Sequence, residues 1–418
     1  MDQSQAKKKK PGSEGIPANT VEKFKWPDPN EPPTEVEHNP HSHLSQRQDT
    51  PTSLPRDPKT PYFDTIYPRI VITYNDLTAS MAEAQKEGIR NDKTTLAVVP
   101  LGAGSAWFKR NPEAHVQLTK FFRDLNVEEN ADAASQIVVY PPEARIDRSG
   151  QTFANVKQMY AKPWPLILTG AGENLRKFAT WFQTFAVSED MVFSVVEFDE
   201  TLQSWVIANI GADPNFGFLT PGCEKRILKE IKDKLWSDDK FRRFVDFALG
   251  AQGVAGSACD RVVIATQSLT VEFLGTMQDE DVAKKEVAVV QLRGKPISPI
   301  PETHTEWLAH IRRIIKSCRY NPHVRFDVVR VFKACTACKS EAHPTNTCPF
   351  LHIQHWYGPS LEKYKAMEKR TLDSAKGNHE KSPARGDRGG RGRRGGRGAN
   401  RGRGWQTVGR GGHVYNKD

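Results

Sequence analysis

The stretch FKACTACKSEAHPTNTCPF, Phe332 to Phe350, holds Cys335, Cys338, His343 and Cys348 in the spacing C-x2-C-x4-H-x4-C. Three thiols and one imidazole complete a tetrahedral ligand set, so the spacing predicts one structural zinc ion (Zn2+) with no coordination position left for water. The 14 residues from Cys335 to Cys348 cannot bury a core. Metal binding would supply their folding energy, roughly 10–16 kcal/mol in comparable sites. The competing reading makes these cysteines ordinary small core residues beside a surface histidine. Lys339, Ser340, Glu341, Pro344 and Pro349 argue against it, because they make the interval loop-like. The remaining cysteines, Cys223, Cys259 and Cys318, are scattered. They read as buried thiols, not as a disulfide framework. A thiolate site needs a reducing compartment, so an intracellular protein of nucleus or cytoplasm is expected.

Composition changes on both sides of this stretch. Residues 351–384 read as a linker with a short polar helix at Leu361–Leu372, and 385–418 as a disordered Arg-Gly tail. The tail's arginines are Arg385, Arg388, Arg391, Arg393, Arg394, Arg397, Arg401, Arg403 and Arg410, with Trp405 among them. Nine arginines less the single Asp387 give +8 of the chain's formal +10, so the basic character lies in a segment that cannot fold. Arginine forks grip phosphates and stack on bases, and glycine lets them reach any backbone geometry. The expected partner is single-stranded RNA or DNA, bound with little sequence preference and strong salt dependence. Trp405 offers a stacking face; a purely solubilising tail is the bland alternative.

On the other side, residues 1–61 are rich in proline, serine and charge, without apolar periodicity, and read as a disordered Pro/Lys-rich arm. Lys7–Lys10 fits a nuclear address, a phosphate contact or a solvated charge run. His38, His41 and His43 are a weak metal candidate. No apolar run approaches the ~20 residues of a membrane span, and no apolar region follows the N-terminal lysines, so neither membrane nor secretion is expected.

The middle carries the periodic sequence and is the globular part of a chain that is only 37% hydrophobic. Residues 62–164 read as an α/β subdomain: a helix over Asp76–Gly88, a strand over Thr94–Pro100, a helix capped by Asn111 and Pro112 running to Leu125, and a strand over Gln136–Tyr140. That β-α-β run favours parallel pairing. Residues 165–333 read as a ferredoxin-like domain or domains of the α+β class. The expected elements are a strand at Leu166–Thr169, a helix at Glu173–Ala186, strands at Met191–Phe198 and Leu202–Ile210 joined by an Asp199–Thr201 hairpin, helices at Pro221–Trp236 and Asp238–Leu249, and a closing strand at Arg261–Ala265. The order β-α-β-β-α-β is the ferredoxin-like or RRM-like plan. Strands at Thr270–Leu274, Glu286–Leu292 and Val324–Phe332 and a helix at Thr303–Lys316, with Thr303 and Glu306 at capping-box spacing, follow. The last strand runs into the 334–350 knuckle, which is thus expected as a small tethered module. Exposed sheet aromatics such as Phe193 could stack bases, although no RNP1-like run is present. Self-association through the α/β region is the other use such a sheet could have.

Two strand–glycine–helix loops, Leu101–Ser105 and Thr169–Glu173, could cradle phosphate on backbone N–H groups. Neither matches a nucleotide-binding pattern, and Glu173 would repel an anion, so turns are expected. No protease, esterase or nuclease pattern is present, and a non-enzyme is expected.

The spacing of Cys335, Cys338, His343 and Cys348 resembles the CCHC zinc knuckle of retroviral and retrotransposon nucleocapsid proteins. PWPLILTGAGENLRKF (163–178), SWVIANI (204–210), HPTNTCPF (343–350) and WYGP (356–359) look like the gag-like zinc-knuckle proteins of mushroom-type fungal genomes. The resemblance implies a retroelement-derived coat or chaperone whose knuckle contacts unpaired bases. Lys339 and Ala342 stand where the family usually has glycine, and Thr336 where it often has an aromatic. Phe332, Phe350 or Trp356 would then supply the aromatic face, with Lys333 and Lys339 beside it. The alternatives are a host RNP or mRNA-processing scaffold with the same two modules and, behind it, an α/β enzyme using the glycine loops.

Overall fold

Leu96–Pro100 (LAVVP) forms strand β1, and every residue in it is buried. Successive side chains point to opposite faces. Leu96 and Val98 enter one core, and Ala97 and Val99 enter another on the far side. A strand covered on both faces is the middle of a layered structure, and the first half of the molecule is arranged around it. The structure, a computed structural model, describes residues 24–35, 39–41, 49–128, 130–145, 164–212, 222–278, 286–319, 326–328, 335–354, 356–364 and 366. All belong to one unit, Met1–Ala375; the second unit, Lys376–Asp418, lies outside the described residues.

Helices α1 (Tyr74–Thr78) and α2 (Glu83–Asn91) precede β1. Helices α3 (Ser105–Arg110), α4 (Ala114–Asp124) and α5 (Ala131–Gln136) lead to β2 (Val138–Tyr140). Then come β3 (Leu166–Thr169), α6 (Glu173–Phe182), β4 (Thr184–Ser188) and β5 (Met191–Glu197). The sheet order is β2-β3-β1-β5-β4, and every neighbouring pair is antiparallel. This corrects the expected parallel pairing: β1 and β2 run the same way, but β3 lies between them. A strand buried on both faces has the same continuous apolar sequence in either arrangement, so LAVVP could not distinguish them.

Helices α4 and α6 cover one face of this sheet. Leu118, Phe121, Phe122, Leu175, Phe178 and Phe182 pack there on Leu96, Val98, Phe185 and Phe193. Each fully buried phenylalanine contributes about 1.5–3 kcal/mol of transfer free energy. Phe193 is among them, at 0% exposure, so it is a core residue and not a base-stacking platform. The expected helix Glu173–Ala186 stops at Phe182, because Gln183 takes φ 62° and turns the chain. Its side chain is fixed on the Ile70 backbone, accepting from the N–H at 2.9 Å and donating to the carbonyl at 3.1 Å. Phe185 therefore sits on β4. The helix expected over Asp76–Gly88 is two helices, α1 and α2, and α4 begins at Ala114, two residues beyond Pro112.

The second half builds a separate sheet. Its elements are β6 (Val206–Ala212), α7 (Cys223–Ser237), α8 (Asp239–Ala251), α9 (Ala258–Thr266), β7 (Thr270–Gln278), β8 (Glu286–Arg293), α10 (Pro301–Ile315) and β9 (Asp327–Val328). The order is β7-β8-β6-β9, again antiparallel throughout. The β-α-β-β-α-β unit expected over 165–266 is thus divided between two sheets. Asp199–Thr201 is not a hairpin, since β5 and β6 belong to different sheets. Arg261–Ala265 lies inside α9, which a Ser257–Asp260 capping box starts. Likewise α10 begins at Pro301 after Ile300, not at a Thr303 cap. On one face of this sheet Ala288, Val290 and Leu292 pack against Ile227, Ile231, Phe241, Val245, Trp307 and Ile311. The alternate positions on β8 include Gln291 and Arg293, which are buried and polar. That polarity marks the face turned toward the Cys/His loop.

The N-terminal arm is the largest departure from expectation. Far from being wholly disordered, its described parts are packed: Trp26 stacks on Trp236, Thr34 N–H donates to the Gln267 carbonyl at 3.2 Å, and Lys59 N–H to the Asp124 carbonyl at 3.1 Å. Prolines excluded helix and sheet there but not docking in extended form.

Two measurements probe this architecture. At Gly170, φ is +68° and an added Cβ would lie 2.1 Å from the Gln136 carbonyl oxygen, so Gly170→Ala should cost more than about 2 kcal/mol in denaturant unfolding. His304 is held at about 4 by burial and, secondarily, by Arg312. Its folded pKa lies below the usual 6.5, so the unfolded chain takes up the proton first. Stability should be full above pH 6.5 and fall as pH drops toward 4, and His304→Gln should flatten that decline.

Candidate metal centre

Two backbone hydrogen bonds close the Cys/His loop. Cys335 N–H donates to the Ser340 carbonyl and Lys339 N–H to the Cys335 carbonyl, both at 2.8 Å. Lys339 adopts φ 69°, the left-handed turn that its position demands, without the glycine that would take it freely. Thr336 N–H donates to Thr345 Oγ1 at 2.9 Å, and single turns of 3-10 helix at Thr345–Thr347 and Pro349–His352 flank Cys348.

The result brings the ligand atoms of Cys335, Cys338, His343 and Cys348 within 4.8 Å of one another. Cys338 Sγ is 3.3 Å from His343 Nε2. Metal–sulfur bonds of about 2.3 Å and metal–nitrogen bonds of about 2.0 Å separate tetrahedral ligands by about 3.5–3.8 Å, so the four side chains can hold one metal ion. Cys338 N–H also points at Cys335 Sγ, at 3.5 Å. The three cysteines are essentially inaccessible and His343 is half-buried.

The electrostatics fit a cation. Among themselves the three thiols compete for one negative charge. Burial alone would raise the Cys335 thiol, but hydrogen bonds with Cys338, Cys348 and His343 outweigh it and hold the thiol low. Burial and then hydrogen bonds with Cys335 and Cys348 push Cys338 up; the hydrogen bond with Cys335 and then burial push Cys348 up. A divalent ion removes that competition by stabilising all three thiolates. The buried Tyr364 hydroxyl has no hydrogen-bond partner among the described residues, and burial and then the charges of the three sulfurs raise its pKa.

Both sheets hold the loop. On the first, Gly102 N–H donates to the Ala337 carbonyl at 2.7 Å. Cys335, Ala337, Cys338, Cys348 and Phe350 share a core with Tyr67, Ile70, Ile72, Ala97 and Val99. On the second, Arg293 donates to the Ala342 carbonyl and to Gln291 Oε1, each at 2.6 Å, and pairs with Glu272. Gln291 in turn donates to the Glu341 carbonyl at 3.1 Å. His41, from the N-terminal arm, lies near enough to Arg293 and His343 to feel both charges; burial first, then those charges, lower its pKa to about 3. It is not among the four clustered ligands. His38 and His43 lie outside the described residues.

This placement revises the expected nucleic-acid contacts. Phe350 is 1% exposed, its ring centroid 6.1 Å from Tyr67 and 5.5 Å from Trp356. Lys339 is 2% exposed, and the half-buried Trp356 donates its Nε1–H to the Pro359 carbonyl at 3.0 Å. Phe350 and Lys339 are therefore packing residues, because the loop's aromatic side closes the first sheet. Phe332, Lys333, Trp405 and all nine tail arginines lie outside the described residues. The exposed aromatic pair beside the loop is Tyr357 on Phe63, stacked at 4.2 Å. Nothing local in WYGP distinguishes the half-buried Trp356 indole from the exposed Tyr357 phenol. Arg293 and Gln291 escape a reading of the sequence because their partners lie about 50 residues away.

The glycine loops serve the fold. Gly102 spends its N–H on the Cys/His loop. At the second loop, Glu128 Oε1 accepts from Leu175 N–H at 2.9 Å, so a carboxylate already occupies the N-terminus of α6.

Cys338→Ser should abolish stoichiometric metal binding, measured by elemental analysis under reducing buffer. Arg293→Ala keeps all four ligands but frees the carbonyl next to His343; metal affinity should fall about 10–100-fold in a chelator competition titration. No protein-family model, curated protein or solved structure matches the chain, so this centre is defined by its own geometry.

Proposed function

We propose that the cluster binds one zinc ion as a structural brace, and that the protein binds single-stranded nucleic acid, RNA first, through its arginine-rich tail. The observation that carries the zinc reading is the Cys3His set, with its four ligand atoms within 4.8 Å of one another, enough donors to fill a tetrahedral shell. Sulfur-rich tetrahedral donors favour zinc over hard cations such as magnesium or calcium. The nucleic-acid reading rests on nine arginines among glycines, a composition that grips phosphates without a fold.

The retroelement coat or chaperone origin is part of the same proposal and rests on the knuckle spacing. Within the first sheet, the β2-β3-β1-β5 order with two interleaved crossovers supports a ferredoxin-like plan carrying β4 as an added edge strand. Burial of Phe350 and Lys339 favours a second reading, a host RNP scaffold in which the knuckle is architectural. In both, the folded part is a platform and the tail engages the nucleic acid first.

Crosslinking to cellular nucleic acid tests this, comparing wild type, Cys338→Ser and a chain ending at Lys381. Removing the tail should abolish most crosslinking and reduce the salt slope by ~0.7 for each phosphate that the tail had neutralised. Cys338→Ser should lower thermal stability while leaving tail-borne crosslinking. Purified protein without zinc, or full crosslinking by the tail-less chain, would overturn the respective half.

A further inference from the structure

Residues 24–35, FKWPDPNEPPTE, lie along a surface made by α7, the end of α9 and the loop after β8, called the groove below. Its floor is Trp236, 5% exposed, whose Nε1–H donates to Thr266 Oγ1 at 3.0 Å. Trp26 stacks on that floor with ring centroids 5.1 Å apart and planes 8° apart, and Phe24 closes edge-on at 4.9 Å. The rim is basic. Lys295 pairs with Glu35. Lys232 is buried to 4% exposure, and the charges of Glu31 and Asp28 act on it. Lys229, which also pairs with Asp233 on its own helix at 2.6 Å, feels Asp28 as well. The Thr34–Gln267 backbone hydrogen bond fixes the far end.

A flat ring on a tryptophan floor, with one carboxylate paired to Lys295 and two more within electrostatic reach of Lys229 and Lys232, matches the chemistry by which a short single strand binds protein: stacking of about 1–3 kcal/mol per base plus phosphate neutralisation. We propose that this groove is a second single-stranded nucleic-acid site, covered in the free protein by residues 24–35. Trp26 stands in a base's place, and Asp28, Glu31 and Glu35 stand in the place of phosphates. The inference rests on the nucleic-acid reading above and extends it from the tail to the folded unit. Among the described residues the cover is held by Trp26, which stacks on Trp236 at the edge of the core, by one backbone hydrogen bond and by one partly exposed ion pair, Lys295–Glu35, a kind of pair that is individually worth little.

The test uses the full chain with Trp26→Ala, Asp28→Asn, Glu31→Gln and Glu35→Gln combined, and a short labelled oligouridine read by fluorescence anisotropy across a salt series. A control neutralises three exposed carboxylates of the other sheet's module, Glu87, Glu113 and Glu143, to match the charge change. The uncovered variant should bind about tenfold more tightly than wild type, with a salt slope steeper by ~1.4 for two further phosphates neutralised. Adding Lys232→Gln and Lys295→Gln should return it to the wild-type curve. Binding equal to wild type, or to the charge-matched control, overturns the site while leaving the tail's role intact. Absence of binding by every protein overturns the parent reading with it. A variant that gains affinity only for a free peptide of residues 24–35 makes the groove a peptide site and also overturns the proposal.

Discussion

The hydrogen bonds from Arg293 to the Ala342 carbonyl and from Gln291 to the Glu341 carbonyl tie the Cys/His loop to the second sheet, while Gly102 ties it to the first. Much of the arrangement depends on that shared loop. Ala97 and Val99 on β1 face it, and without it their side of the sheet would be open to water. The second sheet contributes a polar face to the same joint. A buried guanidinium is tolerable there only because Glu272, Gln291 and a backbone carbonyl satisfy it together; removing one partner from such a set is far costlier than never having built it.

What was readable in the chain followed locality. The four ligands were legible because their spacing spans 14 residues and their chemistry is specific. Strands such as Leu166–Thr169 and Met191–Glu197 and the helix over Cys223–Ser237 were legible from hydrophobic period alone. Sheet membership was not, because β5 and β6 are close in sequence yet belong to different sheets, a choice made by long-range pairing. The helix over Ala258–Thr266 read as a strand because its Val-Val-Ile run is β-branched; a Ser257–Asp260 cap and burial against neighbouring helices outweighed propensity. The Glu173 helix was read too long because the signal to stop is a glutamine in a left-handed turn, held by a partner over 100 residues away.

The aromatic side of the Cys/His loop is spent on apolar packing: Phe350 lies near Tyr67 and Trp356, and the cysteines join the core under β1. Lys339, at the left-handed position, is enclosed instead of projecting toward a phosphate. The N-terminal arm follows the same logic. Its prolines prevent regular structure, but the stack of Trp26 on Trp236 and the Lys59 N–H bond to the Asp124 carbonyl still anchor an extended chain on both halves of the molecule.

Burial of the three sulfurs also governs traffic. Cys335, Cys338 and Cys348 are sealed between the two sheets, with His343 the one ligand reached in part by solvent. With the three sulfurs buried, an ion seated among them would leave most readily if the loop lifts from Gly102 and Arg293. Exchange would then be timed by that opening and not by the strength of the metal–sulfur bonds, so a chelator could be thermodynamically stronger than the site and still empty it slowly. By microscopic reversibility an ion would enter through the same opening, so uptake by the folded protein would be as slow to start as release.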